Sequence, residues 1–351
     1  MTASRTALRN WYLENKRDLP WRDDPSAYKT WLSEIILQQT RVAQGLDYYL
    51  RFVEQFPSVE HLAAAHEDQV LKLWQGLGYY SRARNLHAAA KRVVEAYEGH
   101  FPDSYEALLS LKGVGPYTAA AIASIAFGLP HAVVDGNVIR VITRLHGIEA
   151  AVELGQTARE IQRLADDFLD HHHPGDHNQA IMELGATLCT PRSPHCPACP
   201  LNNTCMAFKN GTAERIPVKR KKVKRRARYF HYLIGIESGK VAIQRRDTND
   251  IWAGLYEFPL IETENKGMLS KDALEAGFNV DQMQVHRVNA GPKHVLSHQD
   301  IFAHFYHASF PLVKTAGYRI VSLEELHTFA LPRLIDRYLE NYDSNGGKKR
   351  H

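Results

Sequence analysis

A short basic segment divides this sequence into two parts with different hydrophobic patterns. Residues 219–228 read KRKKVKRRAR, with eight basic residues in ten. Before it, from residue 4 to about 190, amphipathic segments alternate with short breaks, which predicts helices. After it, from Tyr229, short β-branched or aromatic runs such as YFHYLIGIE and IFAHFYHASF predict strands. The expected fold class is therefore multi-domain, with an all-α first domain and an α+β second domain.

The chain is long enough for more than one domain with its own core. It has 351 residues, of which 44% are hydrophobic and 23% charged, and its net charge is +4. These proportions are typical of globular protein. The predicted organisation is a helical domain over 1–215, a basic interdomain linker over 216–228, an α+β domain over 229–343 with closing helices near 323–328 and 332–341, and a disordered tail over 344–351. The basic run is interpreted as a solvated linker, with electrostatic attraction to nucleic acid as the alternative.

No segment predicts insertion into a membrane. The sequence contains no run of about 18 apolar residues, and the amphipathic stretch MTASRTALRNWYLENK lacks the apolar core of a secretory signal. We therefore expect a cytoplasmic protein that associates with the nucleoid.

One carboxylate interrupts an apolar helical stretch, TWLSEIILQQT, over 30–40. On a helix, Trp31 and Leu37 lie three positions before and after Glu34, so the acid falls on the apolar face. A carboxyl group in apolar surroundings raises its pKa and keeps its proton. Glu34 is therefore either a functional acid or a residue at the helix flank whose side chain extends to solvent.

All four cysteines fall in one short segment, CTPRSPHCPACPLNNTC. Such clustering in a chain without an export signal favours metal binding over disulfides. Four thiolates bind either Zn²⁺ or a [4Fe–4S] cluster, and the spacing of the cysteines alone does not separate the two. The histidine-rich stretch HHHPGDH over 171–177 is interpreted as a solvated helix end, because its spacing does not make metal ligands converge. The predicted metal ligands are Cys189, Cys196, Cys199 and Cys205.

The stretch LKGVGPYTAAAIAS over 111–124 predicts a helix end, a tight turn and a helix start. Gly113 and Gly115 permit positive φ and close approach, and the free N–H groups at the start of the second helix form an anion site. This pattern is typical of a helix-hairpin-helix that binds backbone phosphate without reading sequence. A plain tight helical turn is the alternative.

A second carboxylate precedes another predicted helix. Asp135 is expected to cap the helix that Gly136 and Asn137 begin, and capping would hold its pKa low and keep it ionised. A charged Asp135 facing a protonated Glu34 would provide the two different carboxyl groups that glycosidic bond cleavage uses.

Together these motifs resemble the helix-hairpin-helix DNA glycosylase superfamily and, within it, the MutY-type adenine DNA glycosylases. The matching stretches are LPWR (19–22), LSEIILQQTRV (32–42), WQGLGYYSRARNL (74–86), LKGVGPYTA (111–119), VVDGNVIRV (133–141), the cysteine segment and HVLSHQD (294–300). The resemblance covers nearly the whole chain. It implies a monofunctional enzyme of base excision repair that flips adenine mispaired with 8-oxoguanine, or with guanine, out of duplex DNA and hydrolyses its N-glycosidic bond. It also implies that the cysteines hold a [4Fe–4S] cluster, and we expect a monomer.

The resemblance assigns roles to individual residues. Glu34 would protonate the adenine ring, and Asp135 would stabilise or trap the sugar cation. Tyr117 would hydrogen-bond the catalytic carboxylate, at a position where strand-cleaving relatives carry a lysine, and Asn137 would assist. The implied DNA- and adenine-binding residues of the helical part are Trp21, Arg22, Gln39, Thr40, Leu77, Gly78, Tyr79, Gly113, Gly115 and Gln179. Leu77 and Tyr79 would enter the duplex beside the extruded nucleotide, with core packing as the alternative for Leu77.

The second part resembles the Nudix-related domain of the same family. WAGLYEFPL over 252–260 is similar to the start of a Nudix box, but the carboxylates that would hold Mg²⁺ are missing, which implies binding without hydrolysis. Leu296, Ser297 and His298 map onto the loop that recognises 8-oxoguanine, where many relatives carry an aromatic residue at the first position. Two other functions remain open, a thymine or uracil mismatch glycosylase and a non-enzymatic Fe–S module that binds DNA.

Overall fold

A computed structural model describes residues 2–220, 225–247, 249–280, 282–310 and 317–346. Two compact units make up this part of the chain. The first, called the helical unit, contains residues 2–64 and 85–220. The second, called the sheet unit, contains residues 65–84 together with the described residues from 225 onward.

Short helices make up the chain before the sheet. The helices are α1 (Thr2–Asn15), α2 (Pro20–Asp23), α3 (Ala27–Leu37), α4 (Val42–Gln55), α5 (Val59–Ala64), α6 (Glu67–Leu73), α7 (Ser81–Tyr97), α8 (Tyr105–Leu109), α9 (Pro116–Phe127), α10 (Gly136–His146), α11 (Gly155–Phe168), α12 (Pro174–Thr187) and α13 (Met206–Lys209), with a 3-10 turn at Cys196–Ala198. Apolar spacing and Ser or Asp caps explain many of their bounds: Ser26 and Asp135 accept hydrogen bonds from the first backbone N–H groups of α3 and α10.

The helical unit is built around α9. Residues 118–124 of this helix are all buried, because neighbouring helices pack on several of its sides. Its apolar core takes Leu8 from α1, Val138 and Ile142 from α10 and Leu184 from α12. This packing brings the first turns of α9 and α10 close to α3, and the candidate site lies there.

The sheet unit contains eight strands in the described residues, joined in one mixed sheet. They are β1 (Arg226–Glu237), β2 (Lys240–Arg245), β3 (Tyr256–Glu257), β4 (Leu260–Thr263), β5 (Gln284–Ala290), β6 (His294–Val295), β7 (Gln299–Ser309) and β8 (Arg319–Ser322). The long β1 pairs in parallel with β7 and antiparallel with β2 and β4. Helices α14 (Lys271–Phe278) and α15 (Arg333–Gly346) pack on opposite faces of the sheet, because alternate residues of β1 face two separate apolar clusters.

The segment 65–84 belongs to the sheet unit, although the sequence predicts it within the helical domain. The Lys72 ammonium donates to the Phe329 carbonyl at 3.1 Å, and the Leu331 N–H donates to Gln75 Oε1 at 3.3 Å. Such contacts join residues more than 250 positions apart, which sequence spacing does not predict.

Both ends of the predicted linker are corrected. The linker predicted over 216–228 is too long, because β1 already begins at Arg226 and the Ile216 side chain is buried. Arg228 is not solvated either, since its guanidinium is buried in ion pairs with Asp250 and Glu262. Residues 221–224 of the predicted linker lie outside the described residues.

The tail predicted from residue 344 begins inside α15, which continues to Gly346, and residues 347–351 lie outside the described part of the chain. Among the residues that the structure describes, none of the helices combines the length and apolar character needed to cross a membrane.

Candidate active site

The helical unit contains a cavity of about 820 Å³, here called the acid cavity. It lies between α3, the first turns of α9 and α10, and α12. Nine of the predicted site residues line it although they come from five separate stretches of sequence. They are Trp21, Arg22, Glu34, Gln39, Thr40, Tyr117, Asp135, Asn137 and Gln179.

Glu34 lies at the wall of the acid cavity in α3. Its side chain is half-buried and lines the cavity. Burial raises the pKa of Glu34 to about 7, and the neighbouring charge of Asp135 acts in the same direction. The Tyr117 hydroxyl donates to Glu34 Oε2 at 2.5 Å, which opposes this rise in pKa without cancelling it. The predicted proton-holding acid is therefore present near neutral pH.

Asp135 occupies the cap of α10 on the same cavity. Its Oδ1 accepts hydrogen bonds from the Asn137 and Val138 N–H groups, and its Oδ2 accepts one from Asn137 Nδ2 at 2.8 Å. The cap is as predicted, but the predicted low pKa is wrong. Burial raises the pKa of Asp135 above its usual 3.8, and its hydrogen bonds offset only part of that effect.

A buried arginine connects this cap to the cysteine segment. Arg140 donates to Asn137 Oδ1 at 2.8 Å and to the Cys189 carbonyl at 2.6 Å. It thereby restrains the amide that holds the Asp135 carboxylate. Sequence reasoning missed Arg140, because an arginine on a helix does not reveal which distant carbonyl it will meet.

The wall of the acid cavity also carries a third carboxylate, held by two arginines, that sequence reasoning missed. Glu183 of α12 is buried and accepts hydrogen bonds from Arg17 Nε at 2.6 Å and Arg22 Nη2 at 2.8 Å. Burial alone would raise the pKa of Glu183, but the two guanidinium groups hold it below its usual value. Nearby, Gln179 Oε1 accepts from the Tyr12 hydroxyl at 3.0 Å. The acid amid the apolar residues of α12 was an available signal, of the same kind that singles out Glu34.

The clamp around Glu183 should contribute strongly to stability. We expect Glu183→Ala to lower the free energy of unfolding by about 3 kcal/mol, since removing the acid leaves two arginines without their buried partner. Urea unfolding at pH 7 measures this change. The stabilisation is present above the usual carboxyl pKa and is lost as pH falls below about 4.5 and passes through the lowered pKa of the folded state.

The matched control is Asp167→Ala, which removes an exposed ion pair with Arg163 on α11. It should cost less than about 1 kcal/mol. Equal losses for the two variants would contradict a strong contribution from the Glu183 clamp.

The predicted hairpin joins α8 to α9. Gly113 has φ +80°, and a Cβ there would approach Asn85 Cβ to 2.6 Å, so both positive φ and close approach require glycine. The prediction is wrong for Gly115, which is extended at φ −94° and begins α9 without a side-chain cap. Neither glycine lines the acid cavity, so the hairpin is a separate surface of the helical unit.

The four cysteines line one small cavity of the helical unit, together with Arg144 and His195. Arg144 is buried and donates to Cys189 Sγ at 3.2 Å, while Cys205 Sγ donates to the Arg144 carbonyl at 3.4 Å. In the described residues, no group of His, Cys, Asp or Glu has converged to metal-ligand geometry. The donor set nevertheless fits a metal that takes four sulfur ligands, because four thiols and a cationic donor surround one space.

The histidine stretch predicted to be solvated is only partly so. His171–His173 are exposed before α12, whereas His177 is buried against Phe168.

The sheet unit has a second cavity of about 740 Å³, here called the loop cavity. Predicted DNA-binding residues from two separate stretches of sequence line this cavity. They are Leu77, Gly78, Tyr79, Leu296, Ser297 and His298. The Tyr79 hydroxyl and the Ser297 hydroxyl are hydrogen-bonded to each other. Leu77 is only 7% exposed whereas Tyr79 is 47% exposed, so core packing applies to Leu77 and only Tyr79 projects. Leu296 packs against the apolar core of the sheet unit.

The acid cavity can carry out acid-assisted bond cleavage. A carboxyl with a pKa of about 7 holds a proton that it can donate at neutral pH. A second carboxyl, oriented by three hydrogen bonds on the same cavity, can stabilise a positive charge as it develops. Two carboxyl groups in different environments are the usual requirement for hydrolysing a glycosidic bond.

Family models match both units of the chain. Residues 32–170 match the model of the HhH-GPD superfamily of base excision DNA repair proteins. Residues 231–341 match the NUDIX domain model.

Curated relatives extend the similarity through the chain. The adenine DNA glycosylase of Buchnera aphidicola subsp. Schizaphis graminum is 30% identical over 346 residues, which cover 94% of this chain and 96% of that protein. The adenine DNA glycosylase of Mus musculus is 48% identical over 217 residues, 59% of this chain and 42% of the mouse protein. The matched part thus spans about two fifths of the length of this mammalian relative.

Solved structures resemble the helical part. A thermostable thymine-DNA glycosylase is 28% identical with a TM-score of 0.54, covering 59% of this chain and 95% of that one. An endonuclease III in a non-covalent DNA complex is 22% identical with a TM-score of 0.51, covering 59% of this chain and 94% of that one, and at this identity it shows the fold alone.

Proposed function

We propose, from the premise that this chain belongs to the adenine DNA glycosylase family, that it removes adenine mispaired with 8-oxoguanine or guanine from duplex DNA. The observation that carries the proposal is the pair of carboxyl groups on the acid cavity, with the Glu34 pKa at about 7. A cavity of about 820 Å³ has room for a flipped nucleobase and its sugar. We also propose that the protein acts as a monomer at the nucleoid.

The proposed reaction starts with a proton from Glu34. Adenine leaves poorly as an anion, so protonation of the ring at N7 by Glu34 makes it a neutral leaving group. As the N-glycosidic bond breaks, the ionised Asp135 stabilises the positive charge on the sugar, and the deprotonated Glu34 then takes a proton from the attacking water. Tyr117 holds Glu34 in place through its hydroxyl and, lacking an amine, offers no Schiff-base route to strand cleavage.

Binding to DNA is assigned to three places. The uncapped first turn of α9 after Gly115 presents backbone N–H groups to a phosphate. Tyr79 enters the duplex beside the flipped nucleotide, and Ser297 and His298 read the base opposite adenine. This last role is supported by the hydroxyl of Ser297 at the exposed rim of the loop cavity beside Tyr79.

A direct assay tests the proposed activity. Full-length protein is incubated with duplexes containing A:8-oxoguanine, A:G or T:G, labelled on the strand with the adenine or thymine. We expect an alkali-labile product from the first two duplexes, with strand breaks appearing only after treatment with base. Thymine removal is the second candidate, because of the similarity to the thymine-DNA glycosylase structure, and product from T:G alone would favour it.

We further propose that Cys189, Cys196, Cys199 and Cys205 hold a [4Fe–4S] cluster. Its contribution would be structural, since the cluster joins a segment that otherwise has little apolar content to α10 and α12. Arg144 would continue to donate a charge-assisted hydrogen bond to the Cys189 sulfur.

Replacing one ligand tests the cluster. We expect protein purified without oxygen to be brown with about four iron atoms per chain, and Cys199→Ser to lose most of the iron and colour. Iron and zinc analysis with visible absorbance measures both. One zinc and no iron in the wild type would contradict the assignment, and Ser193→Ala in the same segment serves as the control because it retains all four sulfur donors.

A further inference from the structure

A buried arginine lies beneath the exposed tip of the segment 65–84. Arg82 is in the first turn of α7 within the sheet unit, and only 9% of it is exposed. Burial lowers the pKa of Arg82 to about 10, so the guanidinium remains a cation at neutral pH. Arg82 takes no part in the proposed reaction, and its side chain is buried rather than presented at the surface.

The guanidinium of Arg82 contacts every residue of the tip, Leu77–Tyr79. Its Nη2 donates to the Leu77 carbonyl at 3.3 Å and to the Gly78 carbonyl at 3.2 Å. The Trp74 indole N–H donates to the same Gly78 carbonyl at 3.0 Å. The cation lies 4.9 Å from the ring centre of Trp74 and 5.8 Å from that of Tyr79. Arg82 therefore restrains both the backbone of the tip and the ring that projects from it.

The tip has a backbone conformation that needs such restraint. Gly78 has φ +72° and Tyr79 has φ +48°, and the second of these is unfavourable for a residue with a Cβ. A conformation of this kind persists only where the surrounding contacts over-determine it. The hydrogen bonds from Arg82 and Trp74 to consecutive carbonyls supply such contacts.

The Tyr79 side chain contacts the loop that contains Leu296, Ser297 and His298. The Tyr79 hydroxyl bonds to the Ser297 hydroxyl within the same unit, so a change in the tip would move the group that contacts Ser297. The residues just before the tip are held by hydrogen bonds between Lys72 and Phe329 and between Gln75 and Leu331. Arg82 is thus two contacts away from the residue proposed to read the base opposite adenine.

We propose that Arg82 is a positioning residue that holds Tyr79 against Ser297 and thereby determines discrimination between 8-oxoguanine and guanine opposite adenine. This inference rests on the proposed function for the bases that are read, but the restraint of the tip is a property of the free protein. Arg82 does not line the acid cavity.

Two measurements on full-length protein test this proposal. The first is hydrogen exchange in the free protein at the amides of Leu77 and of residue 82, which donate to the Trp74 and Tyr79 carbonyls. The second is the ratio of the Kd for an A:G duplex to the Kd for an A:8-oxoguanine duplex. Every protein used for this ratio also carries Glu34→Gln, which prevents turnover. The variants are Arg82→Met and Arg82→Lys, and the control is Arg92→Met, which replaces an exposed arginine on the same helix.

With Arg82→Met we expect faster exchange at these two amides and a Kd ratio about tenfold closer to one. Arg82→Lys keeps the cation over the rings but not the fork of donors, so it should recover part of the ratio. Arg92→Met should change neither measurement. If the Met variant does not fold, the comparison of Arg82→Lys with the wild type decides.

A folded variant with unchanged exchange and unchanged ratio would overturn the proposal, and so would an equal loss of affinity for both duplexes. Failure of the proposed function is distinguishable, because the wild type would then excise no adenine while the exchange experiment would still report on the tip.

Discussion

Glu34→Gln is expected to abolish adenine excision, with a single-turnover rate at least about 10³-fold below that of the wild type. Glutamine preserves the shape of the side chain, and it can accept the hydrogen bond from Tyr117. It cannot donate a proton to the purine or take one from water, so the chemical step loses its acid. The rate is measured with excess enzyme on an A:8-oxoguanine duplex.

The pH dependence of the wild type gives a second view of the same proton. Because the Glu34 pKa is about 7, the fraction of protonated acid, and with it the rate, should fall about tenfold per pH unit above that value. At low pH the rate should fall again as Asp135 becomes protonated, above its usual pKa of 3.8 because burial raises it.

Stability should change in a related way. The folded state keeps the Glu34 proton up to about pH 7 whereas the unfolded chain releases it near 4.5, so folding stability declines as pH rises between these values. The Glu34→Gln variant should lack this decline in stability. It should bind the duplex as the wild type does. Excision at the wild-type rate by a folded Gln variant would contradict the role of Glu34.

Asp135→Asn is expected to lower the single-turnover rate by about 10² to 10³-fold. The asparagine oxygen can still accept from the Val138 N–H, and Asn is as good a cap as Asp, so α10 should keep its start. What is lost is the negative charge that stabilises the sugar cation, together with the oxygen that accepts from Asn137 Nδ2. The effect should appear in the rate at saturating enzyme rather than in the Kd for the duplex.

Asp103→Asn is the matched control, because this exposed carboxylate precedes α8 and lies outside the acid cavity. It should leave the rate unchanged. An Asp135→Asn variant that excises adenine as fast as this control would show that the sugar cation does not need the charge of Asp135.

Local rules predict much of the site from the sequence. The apolar neighbours of Glu34 at helical spacing predict its burial, and burial is what raises its pKa. The Asp-Gly-Asn pattern predicts the cap of α10, because capping depends only on residues within one turn. The strand texture after residue 229 likewise predicts the change from helices to a sheet.

The errors come from effects that act over longer distances. A cap favours an ionised Asp135, but α3, α9 and α12 around the acid cavity remove so much water that its pKa rises instead. The basic run suggests solvated charge, yet Arg228 finds Asp250 and Glu262 once the sheet folds. Leu77 and Tyr79 are near neighbours in one motif, but only the packed unit shows that one is buried and the other exposed.

The sequence by itself determined the elements: where helices start, where strands begin, which acid lies on an apolar face and which four thiols share a segment. Each of these depends on neighbours within a few residues, and spacing reports such neighbours directly. Only the tertiary structure decided the partners, such as the two arginines on Glu183, Arg140 between Asn137 and Cys189, and the placement of Arg82 beneath the tip that carries Tyr79. Desolvation and long-range hydrogen bonds depend on which elements pack together, and that information is spread over the whole chain.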